Sequence, residues 1–188
     1  MAKKEEYGVE AIRVLKGLEP VKQRPGMYTL TDNPLHIIQE VIDNASEVLA
    51  GYGKRISVEV AADGSVTVED DGRGIPTGMH PEEHAPVLEI VFTRLHAGGK
   101  FAKADGSGPY TFAGGLHGVG VSVTNALSKH LVVTVWRDGQ EATMGFRDGF
   151  VSEPLEIKKS SRPKSRTGTR VTVWPDPKYF DSPVIPEP

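Results

Sequence analysis

Cysteine is absent from the 188-residue chain, so neither a disulfide bond nor a cysteine-ligated zinc site can form. No run of about 18 or more apolar residues occurs, which excludes a transmembrane helix at the level of sequence. The opening residues, MAKKEEYGVE, have no apolar stretch after their lysines, so we expect no secretory signal. Positive charge is not in excess, because 22 Lys and Arg residues stand against 25 Asp and Glu residues. The chain as a whole therefore lacks the basic character that draws proteins onto nucleic acid.

The composition suits one soluble globular domain, since apolar residues make up 38% and charged residues 25% of the chain. The 21 glycines are unevenly spread, and many lie in Ala97–Gly115, which has no apolar period. We expect this segment to be a long mobile loop. The last residues, 182–188, are rich in proline and predict the start of a linker, so we expect the natural chain to continue.

The apolar spacing predicts both helices and strands. Helices are expected over Val9–Leu18, from an Asn33 N-cap to about Gly51, over Pro86–Leu95 and over Gly118–Leu127. Strands are expected over Ile56–Val60, Val66–Val68, Leu131–Trp136, Glu141–Phe146, Val151–Ile157 and Thr169–Trp174. Several of the strands are joined by Asp-Gly hairpin turns. This combination predicts a two-layer α+β sandwich.

Glu40 and Asn44 stand four residues apart on the long predicted helix, so they share one face. The apolar stripe uses Ile38, Ile42 and Ala45, which places the pair beside the buried face. A carboxylate can polarise a water molecule, and a carboxamide oxygen can hold a hydrated Mg²⁺ ion. A solvated helix face could carry the same two residues, so the pair alone leaves both interpretations open.

Asp70 closes a predicted strand and is followed by Gly72 and Gly74. A carboxylate at a strand end can accept a hydrogen bond from an exocyclic amine, and glycines let a flat ring approach the backbone. An ordinary Asp-Gly turn would explain the same string.

A glycine-rich string ends the long loop and opens a predicted helix. Its residues are Gly114, Gly115, Leu116, His117, Gly118, Val119 and Gly120. Backbone N–H groups at a helix start favour anions, so we predict phosphate binding here. The glycine order differs from the dinucleotide-binding fingerprint. A P-loop is also excluded, because Lys100 is followed by Phe101 rather than by Ser or Thr.

Two other motifs favour structural interpretations. His80 and His84 have a spacing that can bind zinc on a helix, but Pro81 lies between them and favours a capped loop or helix start. The basic run 158–166, KKSSRPKSR, is short, so we predict a solvated surface loop rather than a DNA-binding patch.

The order of these motifs resembles that of the gyrase, Hsp90, histidine kinase and MutL (GHKL) ATPase superfamily. Longer strings narrow the resemblance to the N-terminal ATPase domain of bacterial type IIA topoisomerase B subunits. Those strings are Arg24-Pro-Gly-Met-Tyr28, Glu40-Val-Ile-Asp-Asn44, Asp70-Asp-Gly-Arg-Gly-Ile-Pro76, Leu95-His-Ala-Gly-Gly-Lys-Phe101, the string 114–120, and Asn125-Ala-Leu-Ser128. They cover nearly the whole chain. The short strings that contain Arg94, Phe112 and Trp174 resemble the B subunit of topoisomerase IV more than that of gyrase.

The resemblance implies the Bergerat fold, an α/β sandwich with a mostly antiparallel mixed sheet, and it implies ATP and Mg²⁺ as ligands. Glu40 would be the general base that orients the attacking water, and Asn44 would coordinate Mg²⁺. Asp70 would accept from the adenine amino group with support from Thr169, and Gly74 would let the base approach.

The resemblance also assigns roles around the phosphates and at the pocket rim. Lys100 and the 114–120 backbone would wrap the phosphates in a lid over about 97–120. Tyr7 and Ile12 would belong to an arm that reaches into a partner protomer. The residues expected to rim an inhibitor-binding pocket are Glu47, Arg73, Pro76 and Arg137. The chain is one residue shorter than the family pattern after Asn44, which rotates later helix positions by about 100° and leaves the match of Glu47 open.

At the level of the whole protein, the resemblance implies an arm and first helix over 1–20, an ATP-binding domain over 21–180 and a linker over 181–188. The linker would lead to a transducer domain whose lysine reaches the γ-phosphate. Implied partners are a second B subunit, the topoisomerase A subunit, DNA through other parts of the protein, and ATP-competitive inhibitors, in the cytoplasm and without a membrane. The alternatives are the B subunit of gyrase, a related chaperone or mismatch-repair ATPase, and a silent interaction module that keeps the fold.

Overall fold

The computed structural model describes residues 14–97 and 120–184, without the side chains of residues 46–50 and 52. A sheet of six strands forms one layer of this part of the chain, and helices cover one of its faces. The helices are α1 (Glu19–Gln23), α2 (Leu35–Tyr52), α3 (Val87–Thr93) and α4 (Gly120–Ala126). The strands are β1 (Ile56–Val60), β2 (Val66–Asp70), β3 (Ser128–Arg137), β4 (Gln140–Arg147), β5 (Phe150–Lys159) and β6 (Gly168–Pro175). The predicted two-layer α+β sandwich is confirmed.

The strand order is β1-β2-β6-β3-β4-β5, and every strand pair in the described residues is antiparallel. The expected mixed sheet is therefore antiparallel throughout the described part of the chain. The last strand, β6, inserts between β2 and β3, so Asp70 faces Thr169 and Thr169 faces Val135. This insertion brings residues from three distant parts of the chain to one end of the sheet.

The main core lies between the sheet and helices α2 and α3. Alternate residues of the central strands point towards these helices, as the period of two predicts. Among the buried side chains are Ile38, Val68, Phe92, Val133 and Val171. A second buried cluster joins α1 and α4 and includes Val21, Ile37, Leu127 and Phe180. The two clusters fix α2 and α4 relative to the sheet.

No helix among the described residues combines the length and apolar character needed to cross a bilayer.

The predicted helix over Val9–Leu18 is wrong in its described part, because residues 14–18 are not helical and α1 begins at Glu19. Pro20 lies in the first turn of α1, where its missing N–H group has no helical partner to lose. The proline just after the predicted helix therefore lies in the first turn of a different helix. Residues 9–13 lie outside the described residues.

The ends of α2 lie close to their predicted positions. The N-cap residue is Pro34 rather than the predicted Asn33, and the helix begins at Leu35. Asn33 lies one residue before the cap, where its Oδ1 accepts from the N–H group of Leu35 at 2.9 Å. The helix runs through Gly51 and ends at Tyr52. The other predicted helices and strands are confirmed within a few residues of their observed bounds.

Candidate functional site

Asp70 ends β2 with a buried side chain that is 5% exposed. Its carboxylate accepts from the N–H group of Gly72 at 2.8 Å and from that of Thr169. Burial raises the pKa of Asp70 to about 6, against these two N–H groups, and the neighbouring carboxylates of Asp71 and Glu69 add to the rise. The ionised carboxylate is therefore under-stabilised, and a further donor would favour it.

Thr169 lies opposite Asp70 in the β2–β6 ladder. Its hydroxyl group is buried and has no hydrogen-bond partner among the described residues. A buried hydroxyl without a partner costs free energy, so we expect a water molecule or a polar ligand atom within hydrogen-bonding distance of it. The structure thus brings together the two residues that the sequence predicted for binding of a base.

Gly74 and Gly168 allow main-chain segments to approach closely beside the Asp70–Thr169 pair. Gly74 has φ of +73°, and a Cβ atom there would lie 2.9 Å from the Trp136 carbonyl oxygen. A Cβ atom on Gly168 would lie 2.1 Å from the Asp70 carbonyl oxygen. Thr167 adds a hydrogen bond from its hydroxyl to the Gly72 carbonyl oxygen at 2.5 Å. The loop after Asp70 is therefore held against the ends of β3 and β6 at distances that allow no side chain between them.

Three of the predicted rim residues lie on or beside this loop. Arg137 ends β3 and donates from Nη1 to the carbonyl oxygen of Gly74 at 2.8 Å. Arg73 is half-buried and Pro76 is exposed. The guanidinium of Arg137 also lies 3.5 Å from the carboxylate of Asp138. Arg137 therefore anchors the loop as well as standing at its edge.

Glu40 and Asn44 are half-buried on α2. The Asn44 amide nitrogen donates to the Glu40 backbone carbonyl at 2.6 Å. Since the nitrogen is engaged within the helix, the oxygen is the amide atom that suits a Mg²⁺ ion. No group of three or more His, Asp or Glu side chains in the described part of the chain could hold a metal ion. Mg²⁺ at Asn44 would need oxygen ligands from elsewhere, as is usual for ions that bind with substrate phosphates.

The Glu40 carboxylate lies against Gly120, the first residue of α4. A Cβ atom on Gly120 would lie 2.1 Å from Glu40 Oε2 and 3.0 Å from its Cδ. The end of the glycine-rich string therefore meets the candidate general base.

The remaining predicted site residues lie outside the described residues and stay predictions. They are Tyr7, Ile12, Lys100, Gly114, Gly115, Leu116, His117, Gly118 and Val119, together with the side chain of Glu47.

The sequence interpretation missed a cluster behind the base-binding pair, on the face of the sheet away from the helices. Arg162, predicted as part of a solvated basic loop, donates from Nη1 to Glu69 at 2.9 Å, and its guanidinium lies 3.4 Å from the ring centre of Trp136. Glu69 also binds Arg170 at 2.6 Å. Burial tends to raise the pKa of Glu69, but the two guanidinium groups hold it below its usual value. The prediction of a solvated surface loop over 158–166 is wrong at Lys158 and Lys159, which end β5, and for Arg162. Nothing in the local sequence marks the long-range partners of Arg162.

The predicted capped loop at His80 is confirmed. His80 Nδ1 accepts from the backbone N–H groups of Glu82 and Glu83, each at 3.3 Å. His84 has a positive φ of 50° in the same turn, so the two histidines do not share a helix face.

The model of one protein family matches residues 30–179, a range that contains the Asp70 and Glu40 sites. The chain belongs to the histidine kinase-, DNA gyrase B- and HSP90-like ATPase family. This confirms the resemblance drawn from the motifs.

Curated members of the family include close relatives of the chain. It is 53% identical over 177 residues to the B subunit of DNA topoisomerase 4 from Pseudomonas aeruginosa, covering 94% of this chain and 27% of that protein. It is 50% identical over 178 residues to the B subunit of DNA gyrase from Thermus thermophilus, covering 93% of this chain and 27% of that protein. The chain thus spans about a quarter of the length of these relatives.

Solved structures confirm the fold. The topoisomerase IV ATP-binding domain of Francisella tularensis, in complex with a small-molecule inhibitor, matches with a TM-score of 0.76 and 45% identity, covering 92% of this chain and 44% of that one. The 43K ATPase domain of Thermus thermophilus gyrase B, in complex with an aminocoumarin, matches with a TM-score of 0.72 and 43% identity, covering 91% and 42%.

Proposed function

We propose that the chain is the ATP-binding and ATP-hydrolysing domain of a bacterial type IIA topoisomerase B subunit. The observation that carries the proposal is the Asp70–Thr169 pair, in which a buried carboxyl group stands beside a buried hydroxyl that lacks a partner among the described residues. An adenine ring offers a donor amine to the first and a ring nitrogen to the second. The glycine-bounded loop after Asp70 forms a wall that a flat ring can approach. Identity near 50% to topoisomerase B subunits supports this choice among ATPases of the family.

Hydrolysis is assigned to α2 in this proposal. Glu40 would accept a proton from the water that attacks the γ-phosphorus atom, which is the usual work of a general base. The Asn44 amide oxygen would hold Mg²⁺, which when bound neutralises charge on the phosphates. Lys100 and the backbone of 114–120 would surround the triphosphate.

The proposed role in the whole protein is closure of a dimer gate. The arm over 1–20, with Tyr7 and Ile12, would reach into a second B subunit when ATP binds, and the domain over 21–180 would hold the nucleotide. Contacts made only in the closed state would then shift the population towards closure. Residues 181–188 would lead to a transducer domain, and DNA and the topoisomerase A subunit would join through other parts of this cytoplasmic enzyme. The sites around Arg73, Pro76 and Arg137 would receive ATP-competitive inhibitors.

We further propose topoisomerase IV rather than gyrase as the parent enzyme. The contexts of Arg94, Phe112 and Trp174 support this choice, together with 53% identity to the B subunit of one topoisomerase 4 against 50% to that of one gyrase. A complete B subunit carrying this chain, reconstituted with its A subunit, should decatenate linked DNA circles. ATP-driven negative supercoiling by the same assembly would show the gyrase alternative to be correct.

Calorimetric titration of Mg·ATP into the chain tests the base site. We expect saturable binding, and Asp70→Ala should weaken ATP and an adenine-mimicking inhibitor together by about tenfold or more, since removing one partner of a buried hydrogen bond costs about 1–3 kcal/mol. Asp71→Ala is the matched control, because that exposed carboxylate accepts from the backbone of residues 54 and 55. A chain without saturable heat would be a silent module. If Asp70→Ala bound ATP and the inhibitor as tightly as the parent chain, the proposed adenine site at Asp70 would be wrong.

A further inference from the structure

Gly120 occupies a helical position at which glycine has no conformational purpose. It lies in α4, where the backbone takes the right-handed helical conformation that any residue can adopt. Glycine is poorer than alanine in a helix because it loses more backbone entropy on folding. A reason for glycine here must therefore come from its surroundings.

Those surroundings are the side chain of Glu40. A Cβ atom on residue 120 would lie 2.1 Å from Oε2, 3.0 Å from Cδ and 3.2 Å from Cβ of Glu40. All three of the nearest atoms within 4 Å belong to this one side chain. The space that a methyl group would fill is the space that the carboxylate occupies.

The two helices cannot separate easily to relieve such a contact. Thr124 on α4 is buried, and its hydroxyl donates to the carbonyl oxygen of Ile37 on α2 at 2.9 Å. Val123 and Ala126 pack with Ile37 in the same buried cluster. An added methyl group would therefore displace the Glu40 carboxylate rather than the helix.

We propose that Gly120 is a positioning residue for Glu40, and that its missing side chain lets the carboxylate reach the water-activating position. The inference rests on the proposed role of Glu40 in hydrolysis. It is separate from any backbone contact between the glycine-rich string and phosphates, because it acts through a side chain on another helix.

Gly120→Ala tests the proposal in a complete B subunit that carries this chain. We expect kcat for ATP hydrolysis to fall by about tenfold or more, while KM for ATP changes by less than about threefold, since a small misplacement of a catalytic group acts mainly on the chemical step. Gly51→Ala is the matched control, because Gly51 lies in α2 with open space around it. It should leave both constants unchanged.

A stability cycle tests the contact without reference to hydrolysis. In a Glu40→Gly background, Gly120→Ala should raise the unfolding midpoint of the chain by about 2 °C or more, because all three of the nearest atoms of residue 40 are then absent and helix propensity dominates. With Glu40 present, the same change should raise it less or lower it. Equal shifts in the two backgrounds would overturn the proposal.

The Glu40→Gln variant separates the proposed general-base role of Glu40 from the proposed positioning role of Gly120. If it hydrolyses ATP at the wild-type rate, the proposed function of Glu40 fails, whatever the stability cycle shows. If Glu40→Gln is inactive but Gly120→Ala keeps the wild-type kcat, the positioning role alone is overturned.

Discussion

The carboxyl group of Asp70 and the hydroxyl group of Thr169 belong to directly paired residues of β2 and β6, and both are buried. Asp70 has two backbone N–H donors, whereas the Thr169 hydroxyl has no hydrogen-bond partner among the described residues. In the free chain this arrangement is costly at neutral pH, and the cost is a measurable property of the site.

Asp70→Asn should stabilise the free chain at neutral pH. The pKa of Asp70 in the fold, about 6, lies above its ordinary value of 3.8, so the folded chain binds this proton more tightly than the unfolded chain. The associated stability is full below pH 3.8 and is lost as pH rises through about 6, amounting to roughly 3 kcal/mol at most. Urea unfolding at several pH values from 4 to 8 should show an advantage of the variant that grows with pH. A difference that does not depend on pH would contradict the assignment.

Gly74→Ala should lower the free energy of unfolding by about 2 kcal/mol or more. Alanine is strained in the left-handed backbone conformation of residue 74, and its Cβ atom would also overlap the main chain at Trp136. Gly64→Ala is the control, because Gly64 has φ of +79° but no atom near its Cβ position. It should cost about 1 kcal/mol from the backbone alone. Denaturant unfolding of both variants measures the difference. Equal losses would mean that the contact with Trp136 can relax.

Arg162→Ala should lower the free energy of unfolding by about 1–2 kcal/mol, because it removes a half-buried ion pair with Glu69 and stacking on Trp136. Arg166→Ala, in the same loop but exposed, should change it by less than about 0.5 kcal/mol. Because the two guanidinium groups hold the pKa of Glu69 below its ordinary value of 4.5, the loss from Arg162→Ala should persist at neutral pH and shrink only at pH values below 4.5, where Glu69 becomes protonated. Denaturant unfolding of both variants at pH 7 and at a series of pH values below 4.5 gives the comparison. Equal losses from Arg162→Ala and Arg166→Ala at pH 7 would contradict the prediction.

Glu40→Gln in a complete B subunit should bind ATP with near-normal affinity and lose hydrolysis by about 10²–10⁴-fold, since the amide keeps the shape but cannot accept the proton. Steady-state phosphate release and nucleotide titration measure the two properties. Glu59→Gln is the control, because it makes the same change at an exposed carboxylate on β1, away from α2. Wild-type turnover by Glu40→Gln would exclude Glu40 as the base.

The 188-residue chain alone should bind Mg·ATP but hydrolyse it slowly and remain mostly monomeric. A second positive group at the phosphates stabilises charge that develops in the transition state, so adding the proposed transducer domain with its lysine should raise the rate far more than the affinity. Steady-state hydrolysis and sedimentation should be compared between this chain and one extended by the next domain. Equal rates and equal nucleotide-dependent dimerisation would contradict this division of work.

The residues that the sequence predicted best are those whose local pattern carries the information. Period-two alternation places β2 and β6, and the stripe containing Ile38 and Ala45 places α2. The Asp70-x-Gly72 string identifies a tight strand end without reference to the rest of the chain. These features depend on neighbours within a few residues, which a single sequence displays.

The features that escaped prediction depend on pairing between distant segments. Arg162 was assigned to a solvated loop because its partner Glu69 is 93 residues away. The helix at Glu19 was not predicted, because only five residues form it and Pro20 lies in its first turn, where proline is tolerated. Insertion of β6 between β2 and β3, which creates the Asp70–Thr169 pair, follows from no local signal and was not predicted. The resemblance implied only that Thr169 supports Asp70.

The glycines of the site differ in how evolution could replace them. At Gly74 and Gly168 the nearest obstacles include the carbonyl oxygens of Trp136 and Asp70, which belong to the main chain and exist whatever side chains those positions carry. At Gly120 the obstacle is the side chain of Glu40, which a second mutation could shorten. Second-site substitutions of Trp136 or Asp70 should therefore not suppress the effect of a side chain at Gly74 or Gly168. A lineage that has abandoned hydrolysis could accept alanine at 120, so Gly120 and Glu40 should be lost together while the other two glycines persist.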